Sequence, residues 1–146
     1  MSKVYWDTML FIYLLEDSEQ YGDRVATIYE AMRERGDILC ASMFTLAELL
    51  VAPRKVGDLA WEQRIIDFFN GGDVRILPFD LGAAKQFGSI RAADKISPAD
   101  AYHLACAASA GVDLYLTNDA VVRKAQVIGV HFIDSVNTSL YGGEVV

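Results

Sequence analysis

Four acidic residues of this chain, Asp7, Glu48, Asp100 and Asp119, stand where a carboxylate can do more than face water. Each lies at or near the start of a segment with helical periodicity. Asp7 and Asp119 also follow closely on short apolar runs of strand type, Val4-Tyr5-Trp6 and Leu114-Tyr115-Leu116. Helix N-termini favour the ionised form of a carboxylate. Several such charges brought together repel one another unless a cation sits among them. An all-oxygen donor set of this kind suits magnesium or manganese with retained waters, whereas zinc usually recruits histidine or cysteine. Each acid also has a purely structural reading. Ser97-x-x-Asp100 and Thr45-x-x-Glu48 match the capping-box spacing, with Pro98 in its favoured first-turn place. Asp7 and Asp119 can serve as N-caps, each worth ~1 kcal/mol. Singly the acids are explained as caps; jointly they are a candidate metal site.

The elements that must position them can be read from periodicity. Lys3-Val4-Tyr5-Trp6 is strand-like, and the apolar run from Thr8 to Leu15 reads as a buried helix capped by Asp7. Tyr21, Val25, Ile28, Tyr29 and Met32 recur at helical steps up to Gly36. Ile38 to Ser42 is a strand, and a helix opening at Thr45 is expected to be halted by Pro53. Asp58 to Asn70 is helical, with Trp61, Ile65, Phe68 and Phe69 on a core-facing side. Val74 to Pro78 is a strand, and Asp80 caps a helix carrying Leu81, Ala84, Phe87 and Ile90. Ser97 opens an alanine-rich helix that can lie close to a sheet. A strand follows, then a helix expected over Ala120 to Ile128 and a last strand over Val130 to Ile133.

Five strands alternating with helices predict a single three-layer α/β/α domain with a mainly parallel five-stranded sheet over residues 1–136. Residues 137–146 are expected to form a loose C-terminal tail. In such sheets ligands bind beyond the carboxyl ends of the strands. Asp7, Glu48 and Asp119 fall on that side, and Asp100 joins them only if its helix starts there.

Composition narrows the classes. A length of 146 residues, 53% hydrophobic residues and a mean hydropathy of +0.21 suit strands covered on both faces. No apolar run approaches the ~20 residues needed to span a bilayer. The N-terminal residues lack a basic region with a cleavage site, so a cytoplasmic protein with no membrane partner is expected. Cys40 and Cys106 read as buried free thiols. A net charge of −7 argues against a protein held to nucleic acid by a broad basic surface. Acids gathered around divalent metal remain compatible with a nuclease.

Asp7-Thr8 before an apolar helix, Thr45-x-x-Glu48-Leu49-Leu50, Ser97-Pro98-Ala99-Asp100-Ala101 and Leu116-Thr117-Asn118-Asp119, in this order and at these intervals, resemble the PIN-domain nucleases. The likeness runs over roughly residues 3–133 and is greatest to the VapC-type toxin ribonucleases of toxin–antitoxin pairs. By that resemblance Asp7, Glu48, Asp100 and Asp119 bind one or two magnesium or manganese ions, with Asp7 and Asp100 the most direct ligands. Thr117 matches the family's hydroxyl two residues before the last acid and orients a ligand or water. The resemblance further implies an RNA substrate, phosphodiester hydrolysis, a small antitoxin partner and a homodimer. Two positions depart from the family pattern. Met9 stands where a polar residue is common, and Ala120-Val121-Val122 follows Asp119 where a further acid is common.

His103, three residues after Asp100, reads as a half-buried helix histidine rather than a site residue. Arg54, Lys55, Arg91 and Lys95 read as solvated surface that can steer phosphates only as a group. A non-cleaving PIN-like module that binds RNA or protein is the first rival reading. A phosphatase of the haloacid-dehalogenase type is the second, and Met9 in place of that family's second aspartate ranks it last.

Overall fold

Strand β1 (Lys3–Trp6) sends its side chains alternately into two apolar layers: Val4 and Trp6 enter one, Tyr5 the other. Strands β2 (Ile38–Ser42) and β4 (Leu114–Leu116) repeat the pattern, with Leu39, Ala41, Leu114 and Leu116 on the Trp6 side and Cys40 and Tyr115 on the Tyr5 side. A strand buried on both faces needs helices on both, and that requirement sets the three layers. The structure is a computed structural model and describes residues 1–93 and 95–142.

The five strands, completed by β3 (Val74–Leu77) and β5 (Phe132–Asp134), form one sheet in the order β3-β2-β1-β4-β5. All four pairings are parallel, as the alternating helices predict. Over the Trp6 face lie α1 (Thr8–Leu15), α2 (Gly22–Arg35), α3 (Met43–Leu49) and α5 (Leu59–Asn70). Over the Tyr5 face lie α6 (Leu81–Ala93), α7 (Pro98–Ser109) and the short α8 (Ala120–Arg123). Ile65 and Phe69 of α5 are buried and Trp61 and Phe68 pack against them, so that face is core. Cys40 and Cys106 are buried free thiols, and burial pushes both up to about 11. Among the described residues no helix is long and apolar enough to cross a membrane.

The path of the chain differs from expectation at four places. The helix after β2 starts at Met43, with Ser42 as N-cap; its reciprocal capping partner is Thr45, not the Thr45–Glu48 pair. Pro53 does not halt that stretch, because a second helix, α4 (Val51–Val56), runs through it. Proline is tolerated there in the first turn, where a backbone N–H has no partner within its own helix. The expected helix Ala120–Ile128 is only four residues long. Val122 and Val127 both bury against the same layer, and residues five apart on a helix do not share a face. The stretch after Asn137 is not loose throughout: Ser139–Tyr141 forms a 3-10 turn, and buried Tyr141 donates to Asp37 Oδ2 at 2.9 Å. Residues 143–146 lie outside the described residues.

Between α8 and β5 the chain turns at Gly129 with φ +99°, directly against the end of α7. A Cβ there would sit 2.6 Å from the Ala108 carbonyl oxygen. Gly129→Ala is therefore expected to destabilise the fold by roughly 1–3 kcal/mol, the range for a strained non-glycine residue. Urea unfolding of the variant measures this; an unchanged midpoint would mean the turn relaxes freely.

Candidate active site

The strand order reverses around β1, since β2 and β3 extend the sheet on one side and β4 and β5 on the other. Crevices in open parallel sheets lie at such switch points, beyond the carboxyl ends of the strands. Here that is the gap where β1 and β4 end, closed at its floor by Asp7 N donating to Leu116 O at 2.9 Å. Asp7 is two residues beyond Tyr5, and Thr117 two beyond Tyr115, so both project toward the α7 side of the sheet.

Asp7 is buried and accepts two hydrogen bonds, from Thr8 N at 2.7 Å and from the Thr117 hydroxyl at 2.8 Å. Thr117, fully buried, accepts in turn from Asp119 N at 3.0 Å. Asp119 caps α8, its Oδ1 accepting from Val121 N and Val122 N at 2.8 and 3.1 Å, and it remains exposed. On the other flank Thr8 donates to Glu48 Oε1 at 2.7 Å. Glu48 lies in the sixth position of α3, beyond the capping turn, so its side chain is not engaged as a cap.

Asp100 arrives from the opposite helix layer. The far end of α7 is fixed at the strand amino ends, where Lys3 Nζ donates to Ala110 O at 2.5 Å. The start of α7 is therefore at the crevice. Ser97 caps it, accepting from Asp100 N at 3.2 Å and donating to Asp100 Oδ2 at 2.9 Å. Asp100 is near enough for its charge to act on both Asp7 and Tyr115. Asp7, Glu48, Thr117 and Asp119 thus belong to one hydrogen-bonded network, with Asp100 coupled to it through charge. Among the described residues no three acids, histidines or cysteines stand close enough to cage an ion as they are.

His103 corrects the sequence expectation. It is 1% exposed rather than half-buried, and its Nε2 lies 2.5 Å from Glu48 Oε1 and 3.4 Å from Thr8 Oγ1. Its Nδ1 lies 2.7 Å from the Tyr5 hydroxyl. The signal was its spacing: one helical turn after Asp100, on a helix now known to start at the crevice. Of the basic residues considered, Arg54 pairs with Glu62, and Arg91 donates to the Ile96 carbonyl at 2.6 Å.

Electrostatics separates the two inner acids. Burial raises Asp7 above its ordinary value and the charge of Asp100 adds to this, while the bond from Thr117, the nearby His103 and the bond from Thr8 offset it only in part. Burial also pushes Glu48 up, but hydrogen bonds from His103 and Thr8 outweigh it and hold the carboxyl below its ordinary value. A divalent cation fits this donor set. It is all oxygen, its innermost carboxylate is desolvated and faces a second negative charge, and the buried Tyr115 hydroxyl has no hydrogen-bond partner among the described residues.

The sequence matches the PIN domain over residues 4–127, most of the chain and all of the elements just described from β1 to α8. The chain belongs to the PIN-domain family. This PIN domain is similar in fold to three solved structures. VapBC2 from Rickettsia felis, bound to a DNA fragment from its promoter, matches with a TM-score of 0.73 at 16% identity, covering 91% of this chain and 98% of that one. FitAcB from Neisseria gonorrhoeae matches at 0.61 and 22% identity, covering 82% and 89%. VapBC-5 from Mycobacterium tuberculosis, of the VapBC family of toxin–antitoxin systems, matches at 0.60 and 20% identity, covering 92% and 99%. No protein of curated function matches the chain.

Proposed function

We propose that this PIN domain is a magnesium- or manganese-dependent endoribonuclease, the toxin of a toxin–antitoxin pair, acting in the cytoplasm. The observation that carries the reading is the network Glu48–Thr8/Asp7–Thr117–Asp119 at the switch point, with the charge of Asp100 bearing on its buried member. Asp7 and Asp100 are the direct metal ligands, and Glu48 and Asp119 complete the set. A bound divalent ion lowers the pKa of a coordinated water and stabilises charge on phosphoryl oxygens.

The protein's own residues do the holding. Thr117 orients Asp7 and fixes the backbone of Asp119, and Ser97 holds Asp100 at the first turn of α7. The fold it shares with proteins of VapBC toxin–antitoxin systems supports an antitoxin partner, and a homodimer is part of the same reading. The acidic surface implies that RNA binds weakly until metal is present.

A second reading, a non-cleaving PIN module, is favoured by one observation: among the described residues no three acids converge as they stand. One experiment separates the two. Structured RNAs are incubated with and without Mg2+ or Mn2+, using the native chain, Asp7→Asn and Asp100→Asn, and metal binding is measured on each by calorimetry. Cleavage that needs metal and is lost in both variants is expected. RNA binding without cleavage would favour the second reading, and equal cleavage by all three chains would sink the first.

A further inference from the structure

Beyond the acids, four elements meet at one buried imidazole. His103 of α7 touches Tyr5 of β1 through Nδ1, and Glu48 of α3 and Thr8 of α1 through Nε2. Ionised Glu48 offers only lone pairs, so Nε2 carries the proton in that bond. Burial holds the Tyr5 hydroxyl protonated, its pKa well above the ordinary value, so one hydrogen bond joins the phenol to Nδ1. The ring is also clamped by aromatic neighbours: Phe44 at 5.4 Å, Tyr5 at 5.8 Å and Tyr102 at 6.4 Å between centroids. The imidazole is therefore held in one orientation, with Glu48 the nearer of the two groups its Nε2 faces.

Glu48 is unlike its donor. Its side chain is 32% exposed and hangs from a helix of seven residues. A glutamate so placed samples several rotamers unless something fixes it. His103 and Thr8 both bind Oε1, leaving Oε2 as the oxygen available to the site. We propose that His103, backed by Tyr5, is a positioning residue that fixes Glu48 by Oε1 so that Oε2 alone serves the metal. This rests on the metal-nuclease reading above. Outer partners of this kind typically change metal affinity or activity about 10- to 100-fold when removed.

The test uses the full chain with Mn2+ as probe: calorimetric titration of the native protein, His103→Leu, His103→Gln and Tyr5→Phe, with RNA cleavage and proton NMR on the same samples. His103→Leu is expected to raise the Mn2+ Kd and lower kcat about 10- to 100-fold with little change in KM. Glutamine, whose amide reaches the position of Nε2, is expected to restore both to within roughly threefold, and Tyr5→Phe to fall between. A downfield Nε2–H resonance is expected in the native chain without metal, shifted in Glu48→Gln and absent in His103→Leu.

Native-like Mn2+ affinity in His103→Leu would overturn the proposal alone, and so would equal losses in the leucine and glutamine variants. A native chain that binds no Mn2+ and cleaves nothing removes the metal-nuclease reading and the proposal with it. The resonance then still reports whether the pair forms. If His103→Leu does not fold, Tyr5→Phe decides, since it deletes one oxygen and leaves the packing intact.

Discussion

Asp7→Asn is expected to abolish metal-dependent cleavage, by on the order of 10³-fold as when a charge-stabilising group is lost from a site, while raising the melting temperature. The two effects have one cause. Asp7 is buried, and its carboxyl is raised by desolvation and by the charge of Asp100. A carboxyl whose folded pKa lies above its unfolded value binds protons more tightly in the folded state. Its ionisation therefore costs stability, increasingly as pH rises from the unfolded value through the folded one, and fully above that. Asparagine removes the charge and keeps the shape.

The amide oxygen can still accept from Thr8 N, and the Thr117 hydroxyl, now 2.8 Å from the carboxylate, can turn to accept from the amide nitrogen. The gain should be of the ~1 kcal/mol order usual for stabilising substitutions, about 3 °C for a domain of this size. It should shrink as pH falls from the raised folded pKa toward the ordinary carboxylate value and be gone below that value. Calorimetric melts at neutral and acid pH check both signs. Lower stability at neutral pH would mean the two hydrogen bonds outweigh the buried charge.

Thr117→Val should do the opposite to stability. The hydroxyl is fully buried and works in both directions, donating to Asp7 and accepting from Asp119 N. Valine is close in volume but strips Asp7 of a donor in a buried position and leaves the Asp119 amide unpaired. Each buried group left unsatisfied costs about 1–3 kcal/mol, and the charged one lies toward the upper end. Cleavage should fall about 10- to 100-fold, because Asp7 and the turn carrying Asp119 lose their common anchor. Thr117→Ser, which keeps the hydroxyl, should recover most of both. Urea unfolding and single-turnover cleavage measure the pair of effects. A valine variant as stable as serine would show that water satisfies the orphaned groups.

Much of the frame was legible because strands buried on both faces leave a strong trace. Val4-Tyr5-Trp6 and Leu114-Tyr115-Leu116 are continuous apolar runs, and they pair at the centre of the sheet. Ser97-Pro98 announced the start of α7, and Gly36 the end of α2. What misled was local chemistry with two equally good partners. Thr45 can open a capping box with Glu48 or close one with Ser42, and only the exit direction of β2 chooses Ser42. Pro53 reads as a stop until a break at Leu50 makes it the first turn of a new helix.

His103 was undervalued for a tertiary reason. Nothing in its neighbourhood on α7 indicates that Tyr5, 98 residues away, and Glu48, 55 away, will meet its two nitrogens. The reach of Asp100 depended on the direction of α7, which the bond from Lys3 to Ala110 settles.

The parallel β1–β4 pairing has a consequence in time. Tyr5 lies against Tyr115, and Asp7 meets Thr117 across 110 residues of chain. Contacts so distant in sequence close late, since loop entropy must be overcome before they add any stability. Acids supplied by β1, α3, α7 and the end of β4 cannot gather before that pairing is made. A chain in which β4 has not yet paired with β1 therefore holds no complete site. On the reading proposed above, cleavage would begin only once this pairing is made, because Asp7 gains its Thr117 donor at that step.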